Sequence, residues 1–267
     1  MNRVVLFDMD GTLTPPRKAI EESMEDALHK LSQVTKVGIV TGSDFDYVKQ
    51  QCGSFLYSGK DLSNFFILPC NGTKKYVLRQ CSEGTSEWIQ ESALNMREHL
   101  GESNFRKLMF LLCERLYITH MTSPGKVPAA GNFISYRGSL INWCPIGRSA
   151  TENDRLEFIE LDKKEKIRQR NLDVLSRTSW SDFLSFSMGG NTSIDIYPTG
   201  WDKTYALNHF VNHEHWFVGD RCTMESGNDK PLYDKIRETE PGKAFEVKST
   251  ADTLKIIEEL LGKWYVE

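Results

Sequence analysis

No apolar run in this chain approaches the ~20 residues a helix needs to cross a bilayer, which argues against a membrane-spanning protein. Excess positive charge is missing as well: 33 Lys and Arg stand against 37 Asp and Glu, the net charge is −4, and the pI is near 5.9. Without a basic field, neither nucleic acid nor an anionic membrane surface is expected as the main partner. Cysteine is sparse. Cys52, Cys70, Cys81, Cys113, Cys144 and Cys222 form no C-x-x-C pair and no dense framework, so free thiols in a reducing cytoplasm are expected rather than a disulfide scaffold. Nothing at the N-terminus resembles a signal peptide, because an apolar strand followed by acidic residues stands there. The length of 267 residues allows one or two domains with a sizeable core.

What is present begins with Arg3-Val4-Val5-Leu6-Phe7-Asp8-Met9-Asp10-Gly11-Thr12-Leu13-Thr14. Four consecutive apolar residues, two of them β-branched, predict a short strand buried on both faces and ended by the glycine. Asp8 and Asp10 then sit at the carboxyl end of a strand, where open α/β sheets place their ligand site. In extended backbone residues i and i+2 point the same way, so the two carboxylates are expected to converge on one point. Such a pair repels unless a cation lies between its members, and hard oxygen ligands suit Mg²⁺ shared with a substrate phosphate. Asp8 could attack phosphorus as a carboxylate nucleophile, leaving Asp10 to move protons. This stretch resembles the first motif of the haloacid dehalogenase (HAD) superfamily, whose members are mostly phosphatases and phosphomutases working through a phosphoaspartate.

Further along, Ile20, Met24, Ala27, Leu28 and Leu31 recur at helical spacing. Lys36 to Val40 reads as a buried strand ended by Thr41-Gly42-Ser43-Asp44, with a helix from Asp44 to Gln51 capped by Ser43 or Asp44. A strand ending in hydroxyls at a helix N-terminus is a suitable phosphate seat, and both Thr41 and Ser43 compete for that role. Phe65 to Leu68 is a third strand, followed by the turn signal Asn71-Gly72, and Lys74 to Leu78 a further strand. From about Gly84 the character changes. Trp88, Leu94, Leu100, Phe105, Leu108, Leu112 and Leu116 follow helical spacing. Asn132–Arg137 with Ser139–Trp143, and Asp182–Ser187 with Ser193–Tyr197, read as paired strands. Leu161 to Arg170 opens a long, solvated helix. Residues 84–199 are thus expected to form an α+β domain, an antiparallel sheet with helices on one face, inserted into a core made of 1–83 and 200–267. The core resumes with a helix from Trp201 to Phe210, a strand from His215 to Val218, a helix from Pro231 to Arg237, a strand from Ala244 to Val247 and a closing helix from Ala251 to Leu261. Alternation of strand and helix predicts an α/β fold with a doubly wound parallel sheet. At its carboxyl edge Lys203 would supply a point charge to the phosphoryl group and screen Asp8. Asp220 would complete an oxygen cage for Mg²⁺, with Asn228 or Asp229 as further candidates.

The motifs Asp8-x-Asp-Gly-Thr-Leu-Thr-x-x-Arg17, Gly42-Ser43-Asp44, Asn71-Gly72-Thr73, Arg137-Gly138, Pro145-Ile146-Gly147-Arg148-Ser149, Arg155-x-Glu157-Phe158, Ser193-x-Asp195, Gly200-Trp201-Asp202-Lys203 and Gly227-Asn228-Asp229 resemble the eukaryotic-type phosphomannomutases over nearly the whole chain. The resemblance implies a HAD-like, Rossmann-like core with a C2-type cap, and an enzyme that interconverts mannose 1-phosphate and mannose 6-phosphate for GDP-mannose synthesis. It further implies Asp8 as nucleophile and Mg²⁺ ligand with Asp10 and Asp220, Asp10 as general acid/base, Ser43 and Lys203 as their catalytic partners, and a hexose 1,6-bisphosphate activator. Arg17, Arg137, Arg148 and Arg155 would hold the distal phosphate, Ser193 and Asp195 the sugar, and Asn71 would line the substrate site. A homodimer through the cap is also implied. Chemistry agrees with a second anion site, because a mutase must present either phosphate of a bisphosphate to one aspartate, and planar arginine forks suit the waiting phosphate. Thr41 departs from the family, which usually has glycine there, and resembles ordinary HAD phosphatases. A sugar-phosphate phosphatase with the same aspartates, a phosphoglucomutase-like activity on glucose phosphates, and a non-catalytic sugar-phosphate module are the competing readings.

Overall fold

A computed structural model describes residues 2–81, 85–123, 125–239 and 243–264. Contacts divide the chain into two compact units, Met1–Ala93 with Trp201–Glu267, and Leu94–Gly200. In chain order the first unit opens with β1 (Arg3–Phe7), α1 (Glu22–Ser32), β2 (Lys36–Val40), α2 (Phe45–Leu56), β3 (Phe65–Leu68), β4 (Lys74–Gln80) and β5 (Ser86–Ala93). The second holds α3 (Met96–Leu100), α4 (Glu102–Thr122), β6 (Ile134–Tyr136), β7 (Ile141–Trp143), α5 (Glu152–Glu165), α6 (Ile167–Leu175), β8 (Leu184–Gly189) and β9 (Ser193–Pro198). The first unit then resumes with a 3₁₀ helix (Lys203–Phe210), β10 (Glu214–Gly219), α7 (Lys230–Thr239), β11 (Ala244–Glu246) and α8 (Thr250–Trp264).

Among the described residues of the first unit, seven strands form one sheet in the order β11-β10-β1-β2-β3-β4-β5. The pairs from β11 to β3 are parallel, and β4 and β5 are added antiparallel. The apolar run that opens the chain is explained by burial on both faces. Val5 and Phe7 enter one core with Met24, Leu28, Val48, Phe55, Ile257 and Leu260 from α1, α2 and α8. Val4 and Leu6 enter another, with Phe210, Leu232 and Ile236 from the 3₁₀ helix and α7. Period-two alternation therefore feeds two cores, and no polar residue interrupts it. The chain leaves β1 toward β2 and β3 and returns on the other side with β10 and β11, so the topology switches between β1 and β10. Phe7 is in register with Val218 and with Ile39, which brings Asp8 and Gly219 out at the same level of the carboxyl edge.

In the second unit four strands pair antiparallel in the order β6-β7-β9-β8. One face is apolar: Tyr136, Ile141, Ile196 and Phe186 lie across from one another, and so do Ile134, Trp143, Ile194 and Met188. This face packs on α4, where Trp143 Nε1 donates to the Leu112 carbonyl and the Phe105 and Tyr136 rings meet edge to face at 4.9 Å. The opposite face carries the register row Ser135, Asn142, Asp195 and Ser187.

Three expectations change. The helical spacing read from Trp88 fails, because Ser86–Ala93 is β5, paired with β4 and assigned to the first unit. An edge strand exposed along most of its length shows no clean alternation that would interrupt the neighbouring helical pattern. The boundary expected at Gly84 lies outside the described residues. The long helix from Leu161 is broken at Lys166, whose left-handed backbone (φ 53°) ends α5 and starts α6. The segment from Trp201 winds only from Lys203, as a 3₁₀ helix.

Candidate active site

Four chain segments meet at the switch point of the first unit. Asp8 follows β1, and its N–H donates to the Val218 carbonyl of β10 at 2.9 Å, continuing the ladder one residue past the strand. Lys203 opens the 3₁₀ helix, whose N-cap Asp202 accepts from Thr204 N. Lys203 is 1% exposed, and its ammonium donates at 2.5 Å both to Asp8 Oδ1 and to Asp229 Oδ1. Asp220 ends β10. Asp8, Asp220 and Asp229 each bring one carboxylate oxygen to within 4.8 Å of the others. Two glycines make room for this grouping. A Cβ at Gly11, where φ is +88°, would lie 2.5 Å from Asp220 Oδ2, and one at Gly219 would lie 2.8 Å from Asp229 Oδ2. The Asp229 carboxylate is fixed further by the Arg221 N–H at 3.1 Å.

Three carboxylates around one ammonium leave an excess of negative charge in a buried place. Burial, then repulsion by Asp229, pushes the Asp8 carboxyl up to about 8 against the pull of Lys203. Burial and Asp229 likewise push Asp220 up to about 6. Lys203 loses solvation on burial, but the carboxylates of Asp229 and Asp8 outweigh that loss and hold its proton more tightly than usual. An all-oxygen group short of positive charge fits a hard divalent cation.

The carboxylate of Asp10 stands outside this group. Its Oδ1 accepts from the backbone N–H of Arg17 at 3.0 Å, from Tyr47 Oη at 3.2 Å and from Gln51 Nε2 at 3.2 Å. Gln51 is held in turn by Thr14 Oγ1. The expected convergence of Asp8 and Asp10 assumed extended backbone through Asp10, but β1 ends at Phe7 and the chain turns at once, with Gly11 N donating to Thr14 O. Asp229 takes the place expected for the Asp10 carboxylate among the candidate metal ligands. Arg17 is exposed, with a left-handed backbone (φ 63°), and reaches Asp10 through its main chain.

At the end of β2, Asp44 rather than Ser43 caps α2, accepting from Phe45 N at 2.7 Å, and it pairs with Lys74. Thr41 is buried and its Oγ1 accepts from Ser43 N at 3.2 Å. Among the described residues the Ser43 hydroxyl has no hydrogen-bond partner. Cys70, Asn71 and Gly72 are consecutive left-handed residues. They form a turn against the 3₁₀ helix, where a Cβ on Gly72 would lie 2.8 Å from Ala206 backbone. Asn71 Nδ2 donates to the Trp201 carbonyl. That contact ties the turn to the segment carrying Lys203.

In the second unit a separate polar group lies around β7 and β9. Arg148 Nη1 donates to Asn142 Oδ1 at 3.3 Å. Asn142 Nδ2 donates to Ser193 Oγ at 2.8 Å and to Asp195 Oδ1 at 2.6 Å. Arg137 is buried after β6, two residues beyond Ser135 of the register row. Arg155 is engaged internally, its Nε, Nη1 and Nη2 donating to Ala150 O, Thr192 Oγ1 and Arg148 O. Asn142, Tyr47 and Gln51 belong to none of the sequence motifs. The last two stand one helical turn apart on α2, a spacing that would have paired them.

A parallel sheet with its acidic group at the switch point, and an antiparallel α+β unit inserted in the chain, define a HAD-like protein. Solved structures agree on the fold. An N-terminally truncated IMP-nucleotidase of Plasmodium falciparum aligns at TM-score 0.62 and 14% identity, covering 97% of this chain and 70% of that one. The C-terminal domain of the C. albicans trehalose-6-phosphate phosphatase aligns at 0.59 and 16%, covering 98% and 92%. The family model described as eukaryotic phosphomannomutase matches residues 24–263. Phosphomannomutase 2 of Dictyostelium discoideum is 34% identical over 265 residues, 98% of each chain. The phosphomannomutase of Saccharomyces cerevisiae is 35% identical over 260 residues, 96% of this chain and 93% of its own. The chain belongs to the eukaryotic phosphomannomutase family.

Proposed function

We propose that this protein interconverts mannose 1-phosphate and mannose 6-phosphate, and that it does so in the cytoplasm as a source of mannose 1-phosphate for GDP-mannose. The observation that carries the mechanism is the buried Asp8, held by Lys203 beside Asp220 and Asp229 at the switch point. Asp8, ionised, attacks phosphorus of a hexose 1,6-bisphosphate activator; the oxygen–phosphorus bond of the sugar breaks as the aspartyl–phosphate bond forms. Asp10 gives the departing sugar oxygen its proton and later removes the proton of the hydroxyl that takes the phosphoryl group back. Its triply accepted Oδ1 leaves Oδ2 for that proton. Lys203 balances the charge of Asp8, and the Ser43 hydroxyl donates to a phosphoryl oxygen. Asp8, Asp220 and Asp229 would hold Mg²⁺, which would neutralise charge on the carboxylates and the phosphoryl group.

The second unit supplies the site for the waiting phosphate. Arg137 and Arg148 bind it, and Ser193 and Asp195 take the sugar hydroxyls. Arg155 supports Arg148 by donating to its carbonyl. A homodimer is supported by α4, where Phe110, Tyr117 and Met121 are 68%, 65% and 60% exposed and fall on one helical face with Cys113. A second copy of the chain covers that face.

The test is phosphorus NMR of the products from mannose 1-phosphate, Mg²⁺ and a trace of glucose 1,6-bisphosphate. Accumulation of mannose 6-phosphate that depends on the bisphosphate is expected. Release of inorganic phosphate as the main product would refute the mutase and leave a phosphatase.

A further inference from the structure

Asn142 is 3% exposed and sits mid-strand between Ile141 and Trp143, whose side chains enter the apolar face. A buried carboxamide is costly unless its groups are paired. Here the pairing is directional. The carbonyl accepts from the Arg148 guanidinium, and the amide donates to Ser193 Oγ and Asp195 Oδ1. Arginine is only a donor and an ionised aspartate only an acceptor, so this arrangement fixes which way the amide faces. Its dipole runs from a cation to an anion that the backbone holds apart. Asp195 is the register partner of Asn142 across β7 and β9, whereas Arg148 lies on the loop after β7.

We infer that Asn142 is a positioning residue that makes Arg148 and the Ser193–Asp195 pair act as one ligand site. This inference rests on the proposed roles of those three residues toward a hexose phosphate. When phosphate engages the guanidinium, Arg148 is held in place by the carbonyl of Asn142. The same amide group keeps Ser193 and Asp195 turned toward a sugar hydroxyl. Ser193 Oγ accepts from Asn142 and donates to the Gly189 carbonyl, so its orientation is set from both sides. Aspartate at 142 would place a carboxylate against Asp195 at the distance now bridged by a hydrogen bond of 2.6 Å. Alanine would leave Arg148, Ser193 and Asp195 each without that partner.

The test is a double-mutant cycle read by isothermal titration of mannose 6-phosphate into the full-length protein: wild type, Asn142→Ala, Arg148→Ala and the double variant. Asn142→Ala is expected to weaken binding by about tenfold, and Arg148→Ala to cost at least about threefold less in the Asn142→Ala background than in the wild type. A residue that only supported the sheet would lower the melting temperature and give additive losses in affinity. Additive losses, or unchanged binding by Asn142→Ala, overturn the inference. Should Asn142→Ala not fold, Asn142→Asp preserves the volume and enters the same cycle with the same criterion. Wild-type protein that binds no mannose 6-phosphate, or Arg148→Ala that binds it undiminished, refutes the underlying reading of the site. Loss on Arg148→Ala without coupling to position 142 refutes the inference alone.

Discussion

Lys203 donates to two carboxylates while a third lies beside them, so the chemistry of each residue depends on its neighbours' charge. Asp8→Asn keeps an oxygen that Lys203 can reach and removes one of the repelling charges. Turnover should fall by on the order of 10³-fold or more, because the nucleophile is gone. The melting temperature in EDTA above about pH 8, where the Asp8 carboxylate is ionised, should rise, by roughly 2–4 °C for each kcal/mol gained. A thermal scan beside an activity assay checks both, and retained turnover would remove Asp8 from the chemistry. The same charges set a pH dependence. With Asp8 at about 8 and Asp220 at about 6, against 3.8 for an ordinary aspartate, the metal-free folded protein keeps protons that the unfolded chain has released. Its stability therefore falls as pH rises from about 4 to about 8. A divalent cation takes the place of those protons, so the gap in melting temperature between Mg²⁺ and EDTA samples should widen from about pH 5.5 to about pH 8. A gap independent of pH would contradict binding at these carboxylates.

The site is assembled by strand ends and turns, and here some features were legible in the sequence while others were not. The apolar run of β1, the hydroxyls after β2 and the valine-glycine end of β10 announce the parallel strands, because a strand buried on both faces writes itself as an unbroken hydrophobic segment. Asp8 and Asp220 follow from being next to such ends, and Lys203 from the segment Gly200-Trp201-Asp202-Lys203 at the start of a helix. Beyond the strand the alternation rule lapses, and the direction of Asp10 is decided by the turn at Gly11 instead. β5 escaped for the opposite reason: an edge strand with most of its side chains in solvent carries little pattern. Asn142 needed register, which links residues far apart in sequence, and loop closure decides between the candidates Asn228 and Asp229 in favour of Asp229. Gly11 shows how tightly the elements fit. Gly11→Ala would bring a methyl group onto the Asp220 carboxylate in a backbone region that disfavours a side chain. Weakened Mg²⁺ affinity by about tenfold or more is expected from the displaced ligand, measured by activity against metal concentration. An unchanged metal requirement would show that Asp220 does not bind it.

At the scale of the whole molecule, exposed apolar residues on α4 and an interrupted chain matter most. Phe110→Glu or Tyr117→Glu should convert the proposed homodimer to a monomer without disturbing the buried residues Leu108 and Leu112 of the same helix. Light scattering on a sizing column measures this, and a wild-type monomer would discard the proposed interface. The alternation of elements made the doubly wound sheet predictable, whereas two antiparallel strands at its edge had no counterpart in that rule. The insertion has a further consequence, for how the chain is made. β1 pairs with β10 from Arg3 opposite Glu214 to Phe7 opposite Val218, so the middle of the sheet joins segments separated by the entire second unit. At about 5–20 residues per second, a ribosome that has just finished β1 reaches β10 roughly 10–40 s later. Throughout that interval one side of β1 presents unsatisfied amides and carbonyls to whatever is nearby. The last quarter of the chain therefore closes the sheet as well as delivering Lys203, Asp220 and Asp229, and a nascent chain stalled before β10 is a natural client for chaperones.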